Sequence, residues 1–346
     1  MGVPPFLAAC RREVTPYTPV WLMRQAGRYQ PEYRAIREKL GFLELCKTPD
    51  AAAEVTVMAV EQLGVDAAII FSDILLILEP LGVGLEFAKG DGPVIHRPVR
   101  SAADVDRLCE IDAAALDFVY QAVRRARSAL RPEVPLIGFA GAPFTLASYL
   151  VEGGGSDDWA ATKRFLFADP GAWHALMERL VRGVTAYVNA QIAAGAQAIQ
   201  LFDSWIGCLS PADYRISVMP HVRTLIRGIT PGVPVIHFGT ATAGLLEAMR
   251  AAGGDVIGLD WRVDLDAGWT RVGHDVAVQG NLDPMALLAP IPEIRRRVAT
   301  ILEQAGGRPG HVFNLGHGIL PSTPVDHARA LVDTVHELSA RSSRAG

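Results

Sequence analysis

The sequence predicts an α/β protein folded as a single (β/α)8 barrel of the TIM type. Eight short apolar runs each end at a polar residue or a glycine, and helical stretches separate them along the 346 residues. The runs are nearly continuous in apolar residues, as is typical of parallel strands that are buried on both faces. Eight such units favour closure into a barrel. A doubly wound open sheet is the alternative fold, but it rarely needs eight regular repeats.

The predicted strands share a polar residue or a glycine directly after the last apolar position. They are residues 19–23, 66–71, 135–139, 198–202, 233–238, 256–259, 276–278 and 311–315. After the second strand, residues 82–95 predict an inserted hairpin, which fits either a rim of the cleft or a plain surface excursion. We expect residues 1–346 to form one domain with short flexible ends.

Capping signals mark the helices between these strands. A Ser, Thr or Asp followed by Pro predicts a helix start at Thr48-Pro49, Asp169-Pro170, Ser210-Pro211 and Thr323-Pro324. Gly64 predicts the end of the first of these helices, and the second is expected to run to about Gly195. Ser101 and Asp104 resemble a capping box with a shorter acid.

Composition and charge restrict the classes of function. The net charge of −4 and the pI of about 6.1 do not indicate a nucleic-acid-binding protein, so an anionic ligand would have to be attracted by local charge. Four scattered cysteines without CxxC spacing indicate a reducing compartment and no metal cage. The most apolar stretch, residues 67–85, is interrupted by Asp73, Glu79 and Pro80, and the first residues do not resemble a signal peptide. We therefore expect a cytoplasmic protein without a membrane segment.

The segment 19–34 is the strongest local feature of the chain. Its apolar run stops at Arg24, and Arg28 follows around Gly27, whose conformational freedom predicts a turn. Pro31 then opens a helix. Two guanidinium groups leaving one tight turn would form a fork for carboxylates or phosphates. A solvated helix entrance is an equally good interpretation of the pattern alone, because most of the 33 basic residues are arginine.

The carboxyl ends of parallel barrel strands open on one face, so the polar residues there should surround one cleft. Those residues are Arg24, Arg28, Asp73, Ser204, His237, Asp260, Gln279, Asn281 and His317. They contain no nucleophile–base pair at a telling spacing, no Walker-type phosphate loop and no HExxH motif. The set predicts a polar cleft for an anionic small molecule, with acid–base chemistry as an open possibility.

Structural interpretations compete with functional ones at each candidate. Asp73 would stabilise a cation, or it would cap a helix that begins at Ile74. His317 lies between two glycines, which suits close approach of a ligand or a simple loop. Ser204 fits a turn cap as well as a ligand contact, and Tyr149 fits a core aromatic residue with its hydroxyl at the edge. His237 is expected to be structural.

Four motifs, in order along the chain, resemble those of the uroporphyrinogen decarboxylase family. They are PVWLMRQAGRYQPEY at 19–33, FAGAPFT at 139–145 with YLVEGGG at 149–155, GNLDP at 280–284, and NLGHG at 314–318. The resemblance covers nearly the whole chain and implies a single barrel domain, a cytoplasmic homodimer and a role in porphyrin and haem biosynthesis. One departure is Ile206, which stands where a smaller residue is familiar in the family and puts the pocket shape near Ser204 in question.

The resemblance also implies an activity and a set of site residues. The activity is removal of the four acetate carboxyl groups of uroporphyrinogen III as carbon dioxide, giving coproporphyrinogen III without a cofactor or metal. The implied substrate-binding residues are Arg24, Arg28, Asp73, Tyr149, Ser204 and His317. Among them Asp73 would face the pyrrole N–H groups, and Arg24 and Arg28 would bind substrate carboxylates and take part in catalysis.

The chemistry of this reaction explains why no cofactor would be needed. Loss of carbon dioxide leaves a carbanion-like centre, and a pyrrole ring protonated at carbon accepts its electrons. The Asp73 carboxylate would stabilise that cation more than the neutral ground state. The proton donor stays open among a substrate carboxyl, a water and His317, because arginine does not deprotonate at its usual pKa.

Two other functions fit the same fold. A barrel methyltransferase acting on corrinoid or thiol carriers would need zinc ligands, for which Cys208 and His237 are the candidates near strand ends. A tetrapyrrole carrier would use the same cleft without turnover.

Overall fold

The computed structural model, which describes residues 2–88 and 92–341, contains a curled sheet of seven parallel strands and a separate pair of antiparallel strands. The strands are β1 Ala68–Ile69, β2 Leu85–Ala88, β3 Gly92–Ile95, β4 Leu136–Gly141, β5 Ala198–Asp203, β6 Val235–Gly239, β7 Val256–Gly258, β8 Ala277–Leu282 and β9 His311–Leu315. The parallel sheet has the order β1-β4-β5-β6-β7-β8-β9, so each of its strands pairs with the next one along the chain. This order confirms the predicted barrel class.

The segment 19–23 closes the ring between β9 and β1. Val20 forms a parallel bridge with Phe313 of β9, where the Phe313 N–H donates to the Pro19 carbonyl at 2.8 Å. On the other side, the Asp66 N–H donates to the Val20 carbonyl at 2.8 Å. The segment therefore occupies the first of eight strand positions.

The prediction of a regular strand over residues 19–23 was wrong, because side chains take the place of a ladder. The Val20 N–H donates to the Asp66 carboxylate at 2.7 Å, and the Met23 N–H donates to the Asn314 side-chain oxygen at 3.1 Å. These acceptors satisfy buried N–H groups that a neighbouring strand would otherwise satisfy. The segment is consequently extended and fixed without continuous strand pairing.

Fifteen α-helices in the described residues surround the sheet. They are α1 Pro5–Cys10, α2 Pro31–Lys39, α3 Phe42–Lys47, α4 Pro49–Leu63, α5 Ala102–Arg107, α6 Asp117–Ala129, α7 Pro143–Glu152, α8 Ala160–Ala168, α9 Pro170–Ala194, α10 Pro211–Ser217, α11 Met219–Gly228, α12 Leu246–Ala252, α13 Leu265–Val272, α14 Ile291–Ala305 and α15 Val325–Ser339. No helix among these residues is long and apolar enough to cross a bilayer.

The predicted helix starts at Ser101, Asp169 and Ser210 are confirmed. Each of these side chains accepts the backbone N–H three residues further on. Gly64 ends α4 in a left-handed conformation with φ 71°, as predicted. The start predicted at Thr323 is displaced by one residue, since Pro324 is the N-cap of α15.

The antiparallel pair lies between β1 and β4 along the chain. Leu85 pairs with Ile95 and Phe87 with Pro93, while residues 89–91 of the predicted hairpin lie outside the described residues. Val94 of β3 forms a bridge with Gly154, just after α7. The pair is therefore attached to the segment that follows α7.

Glutamine side chains cross the buried interior of the sheet. The Trp21 indole N–H donates to Gln279 at 2.9 Å, and the Gln279 amide donates to Gln200 at 2.9 Å. All three residues are buried, with at most 1% of their surface exposed. This network connects the first strand position to β8 and β5 and forms part of the packed barrel interior beneath the strand-end residues.

Candidate active site

Most of the predicted site residues follow the carboxyl ends of the barrel strands. Arg24 follows segment 19–23, Asp73 comes four residues after β1, Ser204 follows β5 directly, and His317 comes two residues after β9. Tyr149 instead lies within α7. The parallel strand order brings the strand-end residues to one rim, as the sequence predicts.

Arg24 has a strained backbone and an accessible side chain. Its φ of 61° places it in the left-handed region, which few non-glycine residues adopt. The side chain is exposed and forms no hydrogen bond or ion pair with another described residue. It runs across Gly318, where an added Cβ would lie 2.4 Å from the Arg24 Cδ. Gly318 thus leaves room for the guanidinium to reach the rim.

The turn predicted at Gly27 is present, but its left-handed residue is Arg24. Gly27 is absent from the residues with positive φ; an added Cβ at Gly27 would lie 3.3 Å from the Arg24 carbonyl. The glycine therefore allows close approach of two backbone segments. The Gln30 N–H closes the turn by donating to the Gly27 carbonyl at 3.0 Å.

Asp73 is a partly buried carboxylate with a perturbed protonation equilibrium. Burial raises its pKa from 3.8 to about 6, against the opposing effects of the Leu75 N–H and the Arg24 charge. Its side chain accepts the Leu75 N–H at 2.8 Å. The following 3-10 helix, Leu76–Leu81, has Leu75 and not Asp73 as its N-cap. The local hydrogen bond therefore leaves one carboxylate oxygen of Asp73 for other partners.

His317 is held as a neutral imidazole. Its Nδ1 accepts the Gly318 N–H at 2.6 Å, which assigns the ring proton to Nε2. Burial lowers the pKa of His317 to about 4, helped by the positive charges of Arg24 and Arg262, while Asp260 opposes the change. At neutral pH this side chain is a hydrogen-bond donor through Nε2 and carries no charge.

Aromatic side chains line one side of the rim. The Tyr149 and Trp205 rings are stacked with centroids 3.9 Å apart, and Trp159 packs edge-on against Trp205 at 5.7 Å. Burial raises the pKa of Tyr149 to about 12; the Asp73 charge raises it further and the Arg24 charge lowers it. The phenol is therefore neutral and lies within electrostatic reach of both charged groups.

A short hydrogen-bond chain supports this aromatic side. The backbone N–H of Trp205 donates to the Thr145 hydroxyl at 3.3 Å, and that hydroxyl donates to the Asp203 carboxylate at 3.0 Å. Asp203 is fully buried, and burial raises its pKa to about 7. The chain connects α7 to the residues that follow β5.

A cavity of about 420 Å³ opens beside these residues. Ser204, Trp205 and His317 line it, as do Trp159, Trp261 and Arg262. This volume lies within the usual range for small-molecule sites. Ile206 is fully buried and is not part of the cavity lining. The larger residue at this position therefore sits behind the wall and does not narrow the cavity directly.

Arg28 stands apart from the other predicted residues. Its exposed guanidinium forms no hydrogen bond or ion pair with another described residue, and its charge acts on Tyr33. The Tyr33 ring packs 5.6 Å from Phe71, two residues before Asp73. Electrostatic contacts and the shared cavity connect the remaining five: Arg24, Asp73, Tyr149, Ser204 and His317.

Sequence reasoning missed Arg262 and Trp261 in the cavity wall. The sequence places Asp260 at a strand end but does not indicate that Arg262 is its partner. The Arg262 guanidinium pairs with Asp260 at 2.6 Å and stacks over Trp261 at 4.1 Å. The available signal was a cation two residues after an acid at a predicted strand end.

The two zinc-ligand candidates of the methyltransferase alternative lie in different surroundings. Cys208 lines the cavity, whereas His237 is fully buried within β6. Across residues 2–88 and 92–341, no three His, Cys, Asp or Glu side chains are grouped in a way that would hold a metal ion.

Two solved structures share the architecture of this chain. A methyltransferase from Methanosarcina mazei superposes with a TM-score of 0.78 at 20% identity, covering 96% of this chain and 97% of that one. A putative vitamin-B12-independent methionine synthase from Listeria monocytogenes gives a TM-score of 0.60 at 12% identity, covering 99% and 100% of the two chains. At such identities the similarity supports the fold alone.

Sequence comparison is far more specific. The family model described as uroporphyrinogen decarboxylase (URO-D) matches residues 3–338. A protein named uroporphyrinogen decarboxylase from Sorangium cellulosum is 59% identical over 335 residues, covering 96% of each chain. Another so named, from Carboxydothermus hydrogenoformans, is 56% identical over 339 residues, covering 97% of each chain. This chain therefore belongs to the uroporphyrinogen decarboxylase family.

Proposed function

We propose that the protein removes the four acetate carboxyl groups of uroporphyrinogen III as carbon dioxide and produces coproporphyrinogen III. The observation that carries the proposal is the partly buried Asp73 carboxylate beside Arg24, whose side chain has no partner among the described residues. A carboxylate suits a cationic ring intermediate, and an available guanidinium suits a carboxylate-bearing substrate. Family membership and relatives at 56–59% identity support the same activity.

Asp73 would act on the ring nitrogen atoms. In each step a proton adds to a pyrrole carbon, the bond from the acetate CH2 to its carboxylate breaks, and the electron pair moves into the cationic ring. A second proton then converts the remaining CH2 into a methyl group, and the ring proton is lost, so that each step replaces one carboxylate by one hydrogen. The Asp73 carboxylate would lower the energy of the cation most, because burial leaves the carboxylate poorly solvated and the Arg24 charge compensates only in part. The pyrrole ring itself accepts the electrons, so we propose that no cofactor takes part.

The rim cations would position the substrate. Arg24 and Arg28 would bind carboxylates at its edge, and the neutral His317 would donate a hydrogen bond through Nε2. Tyr149 and Ser204 would contact the macrocycle beside the stacked Trp205 ring. The neutral state of His317 in the ligand-free protein favours a substrate carboxyl or a water as proton donor. Homodimer formation, a cytoplasmic location and a single domain over residues 1–346 stay predictions.

The test is an anaerobic assay with purified, metal-stripped protein and uroporphyrinogen III. The products are oxidised and separated by their number of carboxyl groups. We expect a series from eight carboxyls down to four that does not change when a chelator is present. The Asp73→Asn variant should accumulate no product while retaining its fold, as checked by circular dichroism.

Other outcomes would assign the protein differently. Substrate that stays at eight carboxyls with folded wild-type protein would contradict the proposal. Tight binding of the unchanged macrocycle would then indicate a carrier. Zinc retained at one equivalent before stripping, together with chelator-sensitive activity on thiol or corrinoid acceptors, would indicate a methyltransferase.

A further inference from the structure

Asp260 forms a buried anchor just after β7. It is 1% exposed, and its carboxylate accepts the N–H groups of Ala241 and Arg262 as well as the Arg262 side-chain Nη1 at 2.6 Å. Ala241 has a left-handed backbone with φ 56°, so this anchor also fixes the strained segment after β6. A buried carboxylate with three donors holds its cation in one position.

The Arg262 side chain is oriented by two partners and still has donors left. Its guanidinium stacks over the Trp261 ring at 4.1 Å while Nη1 contacts Asp260. The side chain is 47% exposed and lines the cavity. Nε and Nη2 form no hydrogen bond with any residue in the described ranges. A planar guanidinium fixed in this way loses little entropy when it binds a carboxylate.

The loop that carries Arg262 lies against the loop that carries His317. An added Cβ at Gly316 would lie 2.6 Å from the Trp261 backbone nitrogen, so only glycine permits this approach. Arg262 and Arg24 both lower the pKa of His317, which places a positive charge near His317 from each loop. Arg24 follows the first strand position and Arg262 follows the sixth, so the two cations approach His317 from different strand ends.

We propose that Arg262 is a substrate-binding residue that holds one carboxylate arm of the tetrapyrrole at the side of the cavity away from Asp73. Asp73 follows the second strand position and Arg262 the sixth, which are opposite positions in a ring of eight. Asp260 and Trp261 are positioning residues that aim the guanidinium. This inference rests on the proposed function for the identity of the ligand, and it adds a cation to those that the sequence predicted.

Binding measured without turnover tests the inference separately from the reaction. Uroporphyrin, the oxidised octacarboxylate, is titrated into each protein while tryptophan fluorescence is recorded. We expect Arg262→Gln to raise Kd by about 10–100-fold, the effect of losing a charge-assisted hydrogen bond. Arg262→Lys should give a smaller increase, because it keeps the charge but loses the planar fork. The matched control is Arg250→Gln. Arg250 pairs with Asp275 at 2.8 Å and is not part of the cavity lining, so this substitution should leave Kd unchanged.

Kinetics with uroporphyrinogen III distinguish binding from a structural role. We expect Arg262→Gln to raise KM while kcat stays within about threefold, since the arm is bound equally in the ground and transition states. Asp260→Asn should raise KM less than Arg262→Gln does. Equal Kd and KM for wild type and for folded Arg262→Gln and Arg262→Lys would refute the inference. A fall in kcat together with a lower melting temperature, at unchanged Kd, would refute it in favour of a structural role.

The proposed function and this inference fail in different ways. Inactive wild-type protein that still binds uroporphyrin, and loses that binding in Arg262→Gln, would contradict the decarboxylase assignment and support the carboxylate site. Active wild-type protein with an unaffected Arg262→Gln variant would contradict the carboxylate site alone.

Discussion

Replacing Asp73 by asparagine should make the protein more stable and, at the same time, inactive. Burial raises the pKa of Asp73 from 3.8 to about 6, so the folded protein holds an ionised carboxylate at neutral pH at a cost in free energy. A tenfold change in a protonation equilibrium corresponds to about 1.4 kcal/mol, which puts the cost at no more than about 3 kcal/mol. Water in the open cleft reduces this figure, and we expect a gain of about 1–3 kcal/mol for Asp73→Asn at pH 8. Asparagine retains the oxygen that accepts the Leu75 N–H.

The pH dependence of this gain has a definite sign. Because the folded-state pKa is raised, the penalty is absent below the unfolded value of 3.8, grows between there and about 6, and is constant above. The stability difference between Asp73→Asn and wild type should therefore be smallest near pH 4 and largest above pH 6. Chemical denaturation across this range measures it, with turnover of uroporphyrinogen III assayed on the same samples.

A surface carboxylate provides a control of opposite sign. Asp275 pairs with Arg250 at 2.8 Å, and this hydrogen bond lowers its pKa, so Asp275→Asn should lose a small amount of stability above pH 4 and keep full activity. The reasoning about Asp73 would be refuted by an Asp73→Asn protein that is no more stable than wild type at pH 8. It would equally be refuted by a stability gain that does not change between pH 4 and pH 8, or by a folded variant with near-normal turnover.

Three further predictions concern the rim. Arg24→Ala and Arg28→Ala should each raise KM by about 10–100-fold through loss of a carboxylate contact, and an unchanged KM in steady-state kinetics would exclude that role. Gly318→Ala should raise KM in the same direction with little loss of melting temperature, because its Cβ would lie 2.4 Å from the flexible Arg24 side chain; a normal KM would show that this path is not needed. His317→Gln should keep kcat within about tenfold between pH 6 and pH 8, because the pKa of His317 lies near 4 and glutamine is also a neutral hydrogen-bond donor. A large loss of kcat with a displaced pH profile would instead identify His317 as the acid.

The fold was largely predictable because the barrel repeats one signal. Each parallel strand is an apolar run with buried faces, and capping residues such as Ser101 and Asp169 mark the helices between the runs. The first strand position was the exception. Its N–H groups are satisfied by the side chains of Asp66 and Asn314, which lie 46 and 291 residues away from their donors. No local pattern in the sequence contains such long-range replacements for a strand ladder.

The candidate site was predictable in its strand-end residues but not in its supporting contacts. The topology places Arg24, Asp73 and His317 at one rim, and the order of the strands already implied this. The conformational freedom of Gly27 predicts the turn, but the left-handed residue is Arg24, which the sequence does not indicate. Arg262 was not predicted because its orientation depends on the buried Asp260 carboxylate and the adjacent Trp261 ring. Neither contact can be recognised from composition or periodicity.

Local positive charge at the rim can attract an anionic substrate that the net charge of the protein repels. A net charge of −4 repels a substrate with eight carboxylates, yet Arg262 lines the cavity, and Arg24 and Arg28 follow the first strand position, with Arg24 exposed and Arg28 partly exposed. Burial is the main reason that the pKa of His317 is lowered, and the charges of Arg24 and Arg262 lower it further. The same field stabilises an ionised Asp73 only partly, because burial outweighs Arg24. Bound carboxylates would neutralise the rim cations and leave the Asp73 charge to act on the ring. Attraction by local charge predicts an association rate that falls as ionic strength rises. If the net charge of the whole protein dominated instead, salt would screen a repulsion and the association rate would rise.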